Sequence, residues 1–304
     1  MPPNADAALI RLKSGPAPRL RPVIDGGPVR AHFPGSAQII PPRRRADSRL
    51  NACKHARKAD AMTAAAQRTP ASEAAPADPR LIVALDLPTR AEAEALVERL
   101  GDSVVFYKVG LQLLATGGME MAADLKARGR QVFLDWKLHD IGATVEKAAA
   151  AIAATGAGDL LTVHAEPQVL AAAVRACKGS GLKVLGVTVL TSLSGQDLGE
   201  IGYGLTVGEL VRRRIGQALD AGADGVIASP QEAAMARQMG GPDFLVVTPG
   251  IRPAGAGMDD QARAAGPAEA LNSGASHLVV GRPITAAADA KAAALAIAGE
   301  MAGA

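Results

Sequence analysis

Aromatic side chains, cysteines and long apolar runs are all scarce in this 304-residue chain. Phe, Trp and Tyr make up 2% of the residues while 48% are hydrophobic, so a core must be built mainly from Ala, Val and Leu. The two cysteines, Cys53 and Cys177, exclude a disulfide framework and suit a reducing compartment. No apolar run approaches the roughly 18 residues of a membrane span. We therefore expect a cytoplasmic protein without a membrane partner.

Metal-binding patterns and a glycine-rich phosphate turn are also missing. The five histidines form no HxH or HExxH group, so no metal site is expected. Residues 86–89, which follow the first predicted strand, read Asp-Leu-Pro-Thr and contain no glycine. An open, doubly wound nucleotide-binding sheet needs glycines at that turn, so the sequence disfavours this fold.

The first 61 residues differ from the rest in charge. They hold 12 Lys and Arg against 4 Asp and Glu, a net charge of +8, whereas the whole chain carries +3 and the remainder therefore −5. Proline and arginine clusters without periodicity predict that residues 1–78 are a disordered basic extension. A transit peptide, a nucleic-acid-binding arm and a misassigned start upstream of Met62 all stay open. The last is favoured, and no nucleic-acid partner is expected for the folded part.

Short β-branched runs alternate with Ala-rich amphipathic segments from residue 81 onward. This alternation predicts a single α/β domain over residues 79–304, a (β/α)8 TIM barrel with parallel strands covered by helices. The predicted strands are 81–86, 104–109, 131–135, 159–164, 183–190, 225–228, 244–248 and 277–280. The predicted helices include 90–100, 119–128, 145–154, 167–177, 207–221, 230–239 and 284–301.

The carboxyl ends of the predicted strands are polar almost throughout, and in such barrels the chemistry lies at these ends. Two of the residues at these strand ends, Ser229 and His164, can be explained without a role in a functional site. Ser229 before Pro230 fits a helix N-cap, and His164 could satisfy a buried backbone group instead of contacting a ligand. The residues at the strand ends are Asp86, Lys108, Asp135, Lys137, His164, Thr191, Ser192, Ser229, Pro249, Arg252, Gly281 and Arg282.

Three alternating charges lie close together just after the third predicted strand. Asp135 and Lys137 are two residues apart, so an extended backbone aims both side chains to the same face, and Asp140 follows shortly after. Charges at this spacing shift one another's pKa values and are costly to bury unless they are paired. A surface ion pair is the alternative, but the place at a strand end favours a catalytic group.

The last two strands end in features typical of a phosphate site. Gly281 lets backbone approach a ligand, a helix begins near Pro283, and Arg282 adds a planar, permanent positive charge. Barrels commonly hold phosphate after their seventh and eighth strands. The glycine-rich loop 248–261 is long enough to close over such a phosphate as a lid. The alternative is that Arg282 only pairs with a nearby acid.

These motifs, in this order, resemble the orotidine 5′-phosphate decarboxylase family in its short bacterial form. The Asp-x-Lys-x-x-Asp element is shared with keto-gulonate phosphate decarboxylases and hexulose-phosphate synthases. Those relatives place an acidic metal ligand after the second strand, where this chain has Lys108. The matching segments are Ala84-Leu85-Asp86, Lys108-Val109-Gly110, residues 133–141, Val163-His164-Ala165, Leu190-Thr191-Ser192, residues 248–252, Asp260-Gln261 and Val280-Gly281-Arg282.

The resemblance implies decarboxylation of orotidine 5′-phosphate to UMP and CO₂, the last step of pyrimidine nucleotide synthesis, with no metal and no organic cofactor. It implies that Lys108, Asp135, Lys137 and Asp140 are the catalytic residues, with alternating charges, and that Lys137 donates the proton. It also implies a homodimer in which Asp140, with Ile141 and Thr144 beside it, enters the partner subunit's site.

Contacts with the substrate follow from the same resemblance. The ribose hydroxyls are expected at Asp86 and Lys108, and the pyrimidine at Thr191 or Ser192. The phosphate is expected at Gln261 and Arg282. The family pattern usually has proline at Gly142 and an aliphatic residue or Phe at Trp136. The remaining expected substrate contacts are Pro249, Arg252 and Gly281.

Two other functions stay open from the residues alone. One is a different sugar-phosphate decarboxylase or aldolase of the same barrel. A Schiff-base aldolase needs Lys137 as a neutral nucleophile, and flanking it with Asp135 and Asp140 disfavours that state. The other is a non-catalytic nucleotide- or RNA-binding protein that uses the basic extension as its contact.

Overall fold

The computed structural model describes residues 77–253 and 264–304, which form a closed barrel of eight parallel strands. Each strand pairs with its neighbours in sequence, and β8 pairs with β1 to close the ring. The predicted (β/α)8 fold is confirmed. The strands are β1 (Leu81–Ala84), β2 (Phe106–Gly110), β3 (Gln131–Leu138), β4 (Leu160–His164), β5 (Lys183–Val187), β6 (Gly225–Ile227), β7 (Leu245–Thr248) and β8 (His277–Val280).

Two predictions fall wholly or largely outside the described residues. They are the disordered extension at 1–78, of which only the last two residues are described, and the glycine-rich part of the loop after β7. Gln261, the expected phosphate ligand of that loop, also lies outside the described residues.

Helices surround the barrel and connect successive strands. The predicted helix 284–301 is wrong as one element, because Asp289 accepts a hydrogen bond from Ala292 N at 2.9 Å and caps a separate helix. No helix in the described part of the chain is both long and apolar enough to cross a membrane. The helices are α1 (Arg90–Leu100), α2 (Leu111–Leu114), α3 (Gly118–Ala127), α4 (Gly142–Thr155), α5 (Pro167–Cys177), α6 (Gly195–Ile201), α7 (Val207–Asp220), α8 (Pro230–Gly240), α9 (Pro267–Asn272), α10 (Arg282–Thr285) and α11 (Ala290–Met301).

Side chains alternate along each strand between the inside of the barrel and the layer of helices. On β3, Phe133 joins the inner cluster while Leu134 packs into the outer layer. Since alternate residues share a face, Asp135 and Lys137 continue the inner row towards the barrel mouth. The alternation that fills the barrel therefore also aims these charges into its open end. The inner cluster consists of Ile82, Ala84, Phe106, Phe133, Leu160, Leu185, Val247 and Val279.

Strand β3 is longer than predicted and carries an irregularity. It ends at Leu138 rather than Asp135, and its pairing with β4 shifts between Leu134 and Leu138. Lys137 lies within this shift and has a φ of 48°, a left-handed conformation that costs an L-residue about 1–2 kcal/mol. The hydroxyl of Thr162 accepts the N–H of Lys137 at 3.0 Å and helps to hold this conformation. The bulge thus fixes the point from which the Lys137 side chain starts.

Candidate active site

A cavity of about 460 Å³ opens at the carboxyl end of the barrel. Its floor is apolar and continues the inner cluster, whereas its walls carry charged side chains on one side and glycine-rich loops on the other. This combination of an apolar body with a few convergent polar groups is typical of a small-molecule site. The lining residues are Ala84, Asp86, Lys108, Phe133, Asp135, Lys137, Val187, Val189, Leu190, Thr191, Ile227, Pro249, Gly250, Arg252, Val279, Gly281, Arg282 and Thr285.

Four of the lining residues form a row of alternating charges, which we call the charge array: Asp86, Lys108, Asp135 and Lys137. Lys108 Nζ lies 2.9 Å from Asp86 Oδ1 and 3.4 Å from Asp135 Oδ2. The other oxygen of Asp135, Oδ1, lies 2.8 Å from Lys137 Nζ. Lys108 and Asp135, the two inner members of the row, therefore each have an opposite charge on both sides, which lowers the cost of burying them as ions.

The two inner members of the array, Lys108 and Asp135, are buried. Burial opposes the charge of Lys108, but Asp135 and Asp86 outweigh it and raise the pKa of Lys108 above its ordinary value. Burial likewise opposes the charge of Asp135, but Lys108 and Lys137 outweigh it and lower the pKa of Asp135. The site therefore holds an ionised carboxylate between two ammonium groups.

The wall formed by the loops after β7 and β8 combines two arginines with backbone that lines the cavity. Arg282 and Gly281 follow β8, and Pro249, Gly250 and Arg252 follow β7. Arg252 N donates to the carbonyl oxygen of Ala265 at 2.9 Å, which ties together the two described ends of the loop after β7. The arginines and the glycine backbone that line this part of the cavity suit an anionic group of a ligand.

Asp140, Ile141 and Thr144 lie outside the cavity lining. All three are exposed, and Ile141 has 71% of its surface exposed although it is a large apolar residue. Asp140 Oδ1 accepts the N–H of Ile141 at 2.6 Å, which fixes its carboxylate at the start of α4. In a single chain, therefore, the last acid of the motif does not line the cavity that holds the array.

The remaining predicted residues divide between the cavity and its surroundings. Thr191 lines the cavity, whereas Ser192 is exposed and lies outside the lining. His164 also lies outside the lining, and its ring packs against that of His139 at a centroid distance of 4.7 Å. The simpler interpretation of Ser229 is confirmed: it is the N-cap of α8, followed by Pro230, and forms a capping box with Glu232.

Two supporting residues were not predicted. Thr162 is fully buried and donates to Asp135 Oδ1 at 2.9 Å, so it orients the carboxylate that Lys137 contacts. A Cβ on Gly110 would lie 2.5 Å from Asp86 Oδ1 and 2.9 Å from Lys108 Nζ, so any other residue there would force that ion pair to shift. For Thr162 the available signal was its place on the inner face of β4, two residues before His164.

The two departures from the family pattern avoid the cavity. Trp136 points into the helix layer and is 6% exposed. Gly142 is the first residue of α4, the position where proline is readily accepted in a helix. A side chain at this position would make only ordinary van der Waals contacts, because its Cβ would lie 3.4 Å from the carbonyl oxygen of Gln168.

Metal ligands are not clustered in the part of the chain that the structure covers. No group of three His, Cys, Asp or Glu side chains among residues 77–253 and 264–304 could hold a metal ion. The acids of the charge array are instead engaged by lysines and by the hydroxyl of Thr162.

Comparison with known proteins agrees with this geometry. The model of the orotidine 5′-phosphate decarboxylase / HUMPS family matches residues 79–297. The chain is 65% identical over 227 residues to an orotidine 5′-phosphate decarboxylase of Caulobacter sp. (strain K31), a match that covers 75% of this chain and 99% of the relative. It is 54% identical to the corresponding protein of Methylobacterium radiotolerans, over 74% of this chain and 98% of the relative.

Solved structures that resemble this chain agree with the sequence comparison. The crystal structure of orotidine 5′-phosphate decarboxylase from Lactobacillus acidophilus matches with a TM-score of 0.65 and 40% sequence identity, covering 74% of this chain and 99% of that one. A protein from Geobacillus kaustophilus described as uncharacterized matches with a TM-score of 0.63 and 33% identity.

Proposed function

The chain belongs to the orotidine 5′-phosphate decarboxylase / HUMPS family, and from this premise we propose that it converts orotidine 5′-phosphate to UMP and CO₂. One observation carries the choice within the family. Lys108, at the end of β2, is ion-paired with Asp86 at 2.9 Å and with Asp135 at 3.4 Å, so a cation occupies the place where the metal-dependent relatives have an acidic ligand. The proposed reaction uses no metal and no organic cofactor.

The charge array supports a simple electron balance for this reaction. The bond between C6 of the pyrimidine and its carboxylate breaks, CO₂ departs, and the electron pair stays on C6. Lys137 supplies the positive charge beside that carbon and then transfers its proton to it. Fixed charges in a site that excludes water stabilise such a developing anion without reorganisation, which is the main contribution we assign to the array.

Asp135 contributes in the ground state. Its lowered pKa keeps it ionised, so its charge opposes the substrate carboxylate but not the neutral CO₂ that leaves. Thr162 and the two lysines hold the carboxylate in place against this repulsion. The repulsion is relieved as the carboxylate loses its charge, which favours the forward step.

The rest of the substrate is assigned to the remaining walls. Asp86 and Lys108 hold the ribose hydroxyls, and Thr191 contacts the pyrimidine. Arg282 holds the phosphate together with Gln261, and the backbone at Pro249 and Gly281 lies beside it. Because the phosphate is far from the reacting carbon, its binding energy can order the site and raise the rate rather than affinity alone.

A homodimer completes the array in this proposal. Asp140, Ile141 and Thr144 of one subunit enter the site of the other, which agrees with their exposure and their absence from their own cavity. A two-fold dimer then has two identical composite sites, because contacts across such an interface are reciprocal. The proposal includes no nucleic-acid partner, and it places the enzyme in the cytoplasm.

The loss of orotate absorbance on mixing the full chain with orotidine 5′-phosphate in EDTA tests the reaction directly. We expect turnover at the same rate with and without the chelator. Activity that EDTA abolishes and Mg²⁺ restores would instead assign the chain to the metal-dependent chemistry. Trapping of Lys137 by borohydride with a keto-sugar phosphate would indicate an aldolase, which the 2.8 Å contact between Lys137 Nζ and Asp135 Oδ1 disfavours.

Mixing two inactive variants tests the shared site. Asp135→Ala and Asp140→Ala should each be nearly inactive, and after subunit exchange half of the dimers are hybrids. Each hybrid has one site with both defects and one with neither, so about a quarter of the wild-type activity should return. No recovery, with exchange demonstrated by native mass spectrometry, would show that both acids serve one site within a chain.

A further inference from the structure

A second group of charged side chains lies beside the cavity but outside its lining, between the loops that follow β3, β4 and β5. Its centre is Arg214 on α7, whose Nη2 lies 3.0 Å from Glu166 Oε1 and 2.9 Å from Tyr203 Oη. Its other terminal nitrogen donates to the carbonyl oxygen of Thr188. The second oxygen of Glu166 lies 3.6 Å from Nε2 of His139. We call Arg214, Glu166 and His139 the Arg214 network.

Arg214, at the centre of this network, is buried, whereas Glu166 is partly buried and His139 is exposed. The Arg214 side chain is 11% exposed, and an arginine cannot release its proton to lower the cost of burial. Glu166 is the N-cap residue of α5, yet its side chain makes no capping hydrogen bond to that helix. The carboxylate is instead directed at Arg214 on one side and at His139 on the other.

The network links one supporting helix to the loop that carries Asp140. His139 directly precedes Asp140 and follows the end of β3. Its half-exposed ring packs against that of His164 of β4, and its Nε2 faces Glu166 Oε2 at 3.6 Å, beyond direct hydrogen-bond distance, while Arg214 fixes the other oxygen of Glu166. The backbone of this short loop is therefore braced one residue before the acid that the proposed function assigns to the neighbouring subunit.

We propose that Glu166 is a positioning residue that, through His139, sets the direction in which Asp140 is presented to the partner subunit's site. The inference rests on the proposed function, because it presupposes a composite site. Glu166 does not line the cavity, so its effect should be exerted in the neighbouring site rather than in its own.

Glu166→Gln keeps the size of the side chain and removes its charge. We expect about a tenfold loss of kcat/KM with a folded dimer, since the charge-assisted hydrogen bond to Arg214 is weakened and the carboxylate that faces His139 loses its charge. Glu146→Gln is the matched control. Glu146 Oε2 pairs with Arg175 at 2.9 Å between α4 and α5, but both side chains are exposed and neither lines the cavity, so its activity should stay within about twofold of wild type.

Subunit mixing distinguishes positioning of the donated loop from general damage. In a hybrid of Glu166→Gln with Asp135→Ala, the working site combines the Glu166→Gln barrel with an intact donated loop, so it should turn over at the wild-type rate. In a hybrid with Asp140→Ala, the working site must accept the loop of the Glu166→Gln chain and should keep the tenfold defect. A quarter of the dimers in each mixture are Glu166→Gln homodimers with about a tenth of wild-type activity. The first mixture should therefore show somewhat over a quarter of wild-type activity and the second about a twentieth, roughly a fivefold difference.

Several results would overturn the inference. Equal recovery in the two mixtures, the reverse order of recovery, or wild-type activity of Glu166→Gln would each show that Glu166 does not act through the donated loop. Failure of Asp135→Ala and Asp140→Ala to complement each other would refute the composite site itself, which is a distinct outcome, and the inference would fall with it. If Glu166→Gln lowers the melting temperature far more than Glu146→Gln does, His139→Ala takes its place in the mixing experiment. It removes the same contact from its exposed side, and it should give the same order of recovery in the two mixtures.

Discussion

The two ends of the barrel carry the same kinds of charged residue but use them differently. At the amino end, carboxylates bind backbone: Asp159 Oδ2 accepts the N–H of Val132 at 2.7 Å, and Asp224 Oδ2 accepts that of Val184 at 2.8 Å. At the carboxyl end, Asp86 and Asp135 bind the ammonium groups of lysines. The chemical difference is that the amino-end acids each accept a backbone N–H, with Lys126 as a second partner of Asp159, whereas Asp86 and Asp135 are paired with lysines.

The direction of the strands explains this difference. Parallel strands leave N–H groups free at one end of a barrel and carbonyl groups at the other, and only the N–H groups can satisfy a carboxylate. The acids of the amino end therefore complete the sheet and stabilise it. The acids of the carboxyl end have no backbone donor of this kind, so they must be paired with cations, and the resulting field is available to a ligand.

Removing a lysine from each end gives the largest contrast. Lys137→Ala should lower kcat by at least about 10⁴-fold while leaving a folded dimer, because it removes both the proton donor and the charge beside the developing carbanion. The matched control is Lys126→Ala, since Lys126 Nζ pairs with Asp159 Oδ1 at 2.7 Å at the amino end. Its activity should stay within about twofold of wild type.

Steady-state turnover and circular dichroism of both variants check this contrast. Residual activity above one hundredth of wild type in Lys137→Ala would show that another group delivers the proton. Unfolding of that variant would show that the array is needed for stability, contrary to the division between the two ends.

Removing the arginine from the opposite wall should have a smaller effect. We expect Arg282→Ala to reduce kcat/KM for orotidine 5′-phosphate roughly a hundredfold. This corresponds to a loss of about 3 kcal/mol of transition-state stabilisation, as for one charged hydrogen-bonded contact. Orotidine, which lacks the phosphate, should be turned over about equally by the variant and by wild type. Equal damage towards both substrates would remove Arg282 from the phosphate site.

Adding one methyl group at the carboxyl end should perturb the array without unfolding the chain. In Gly110→Ala the new Cβ would lie 2.5 Å from Asp86 Oδ1, and the exposed end of that side chain can move away. We expect about a tenfold rise in KM, because Asp86 is proposed to hold the ribose together with Lys108. Gly216→Ala in α7 is the control, since a Cβ there meets nothing within 4 Å. An unchanged KM for Gly110→Ala would argue against this role of Asp86.

The sequence was sufficient for the fold because buried parallel strands appear as continuous apolar runs, and all eight were recognised. It was less informative where an element depends on a distant contact. The extension of β3 to Leu138 requires the hydroxyl of Thr162, which lies on another strand and accepts the N–H of Lys137. The short helices α2, α6 and α9 lack the length over which periodicity can be detected.

In the candidate site, too, residues that are close in sequence could be predicted, whereas contacts between distant residues could not. Asp135 and Lys137 could be predicted because they are local in sequence and share one face of a strand. Gly110 could not, because its role depends on the register between β1 and β2, which pairs Ala84 with Lys108 and so brings Asp86 beside Gly110. The Arg214 network was also missed, since Glu166 and Arg214 are far apart in sequence and meet only after the barrel closes.

The smallest effect on activity is expected from a histidine at the amino end. The ring of His277 lies edge-on to that of Phe106 at 5.8 Å, and its Nδ1 lies 3.0 Å from Ser276 Oγ. Burial, with a smaller contribution from Lys183, lowers the pKa of His277 to about 4. An unfolded chain takes up this proton near pH 6.5, so between these values the unfolded state binds more protons than the folded state.

The pH dependence of stability follows from that difference. The contribution of His277 is complete above about pH 6.5 and is lost as the pH falls towards 4, by up to about 3 kcal/mol. His277→Gln removes the titrating group, so the free energy of unfolding of the variant should approach or exceed that of wild type near pH 4.5 while lying below it at pH 8. Urea unfolding at both pH values measures this change, and turnover at pH 8 should stay within about twofold of wild type because His277 lies at the end of the barrel opposite the array. A stability difference between the two proteins that is the same at both pH values would show that His277 takes up its proton at the same pH in the folded and the unfolded chain, so that burial at the amino end does not lower its pKa.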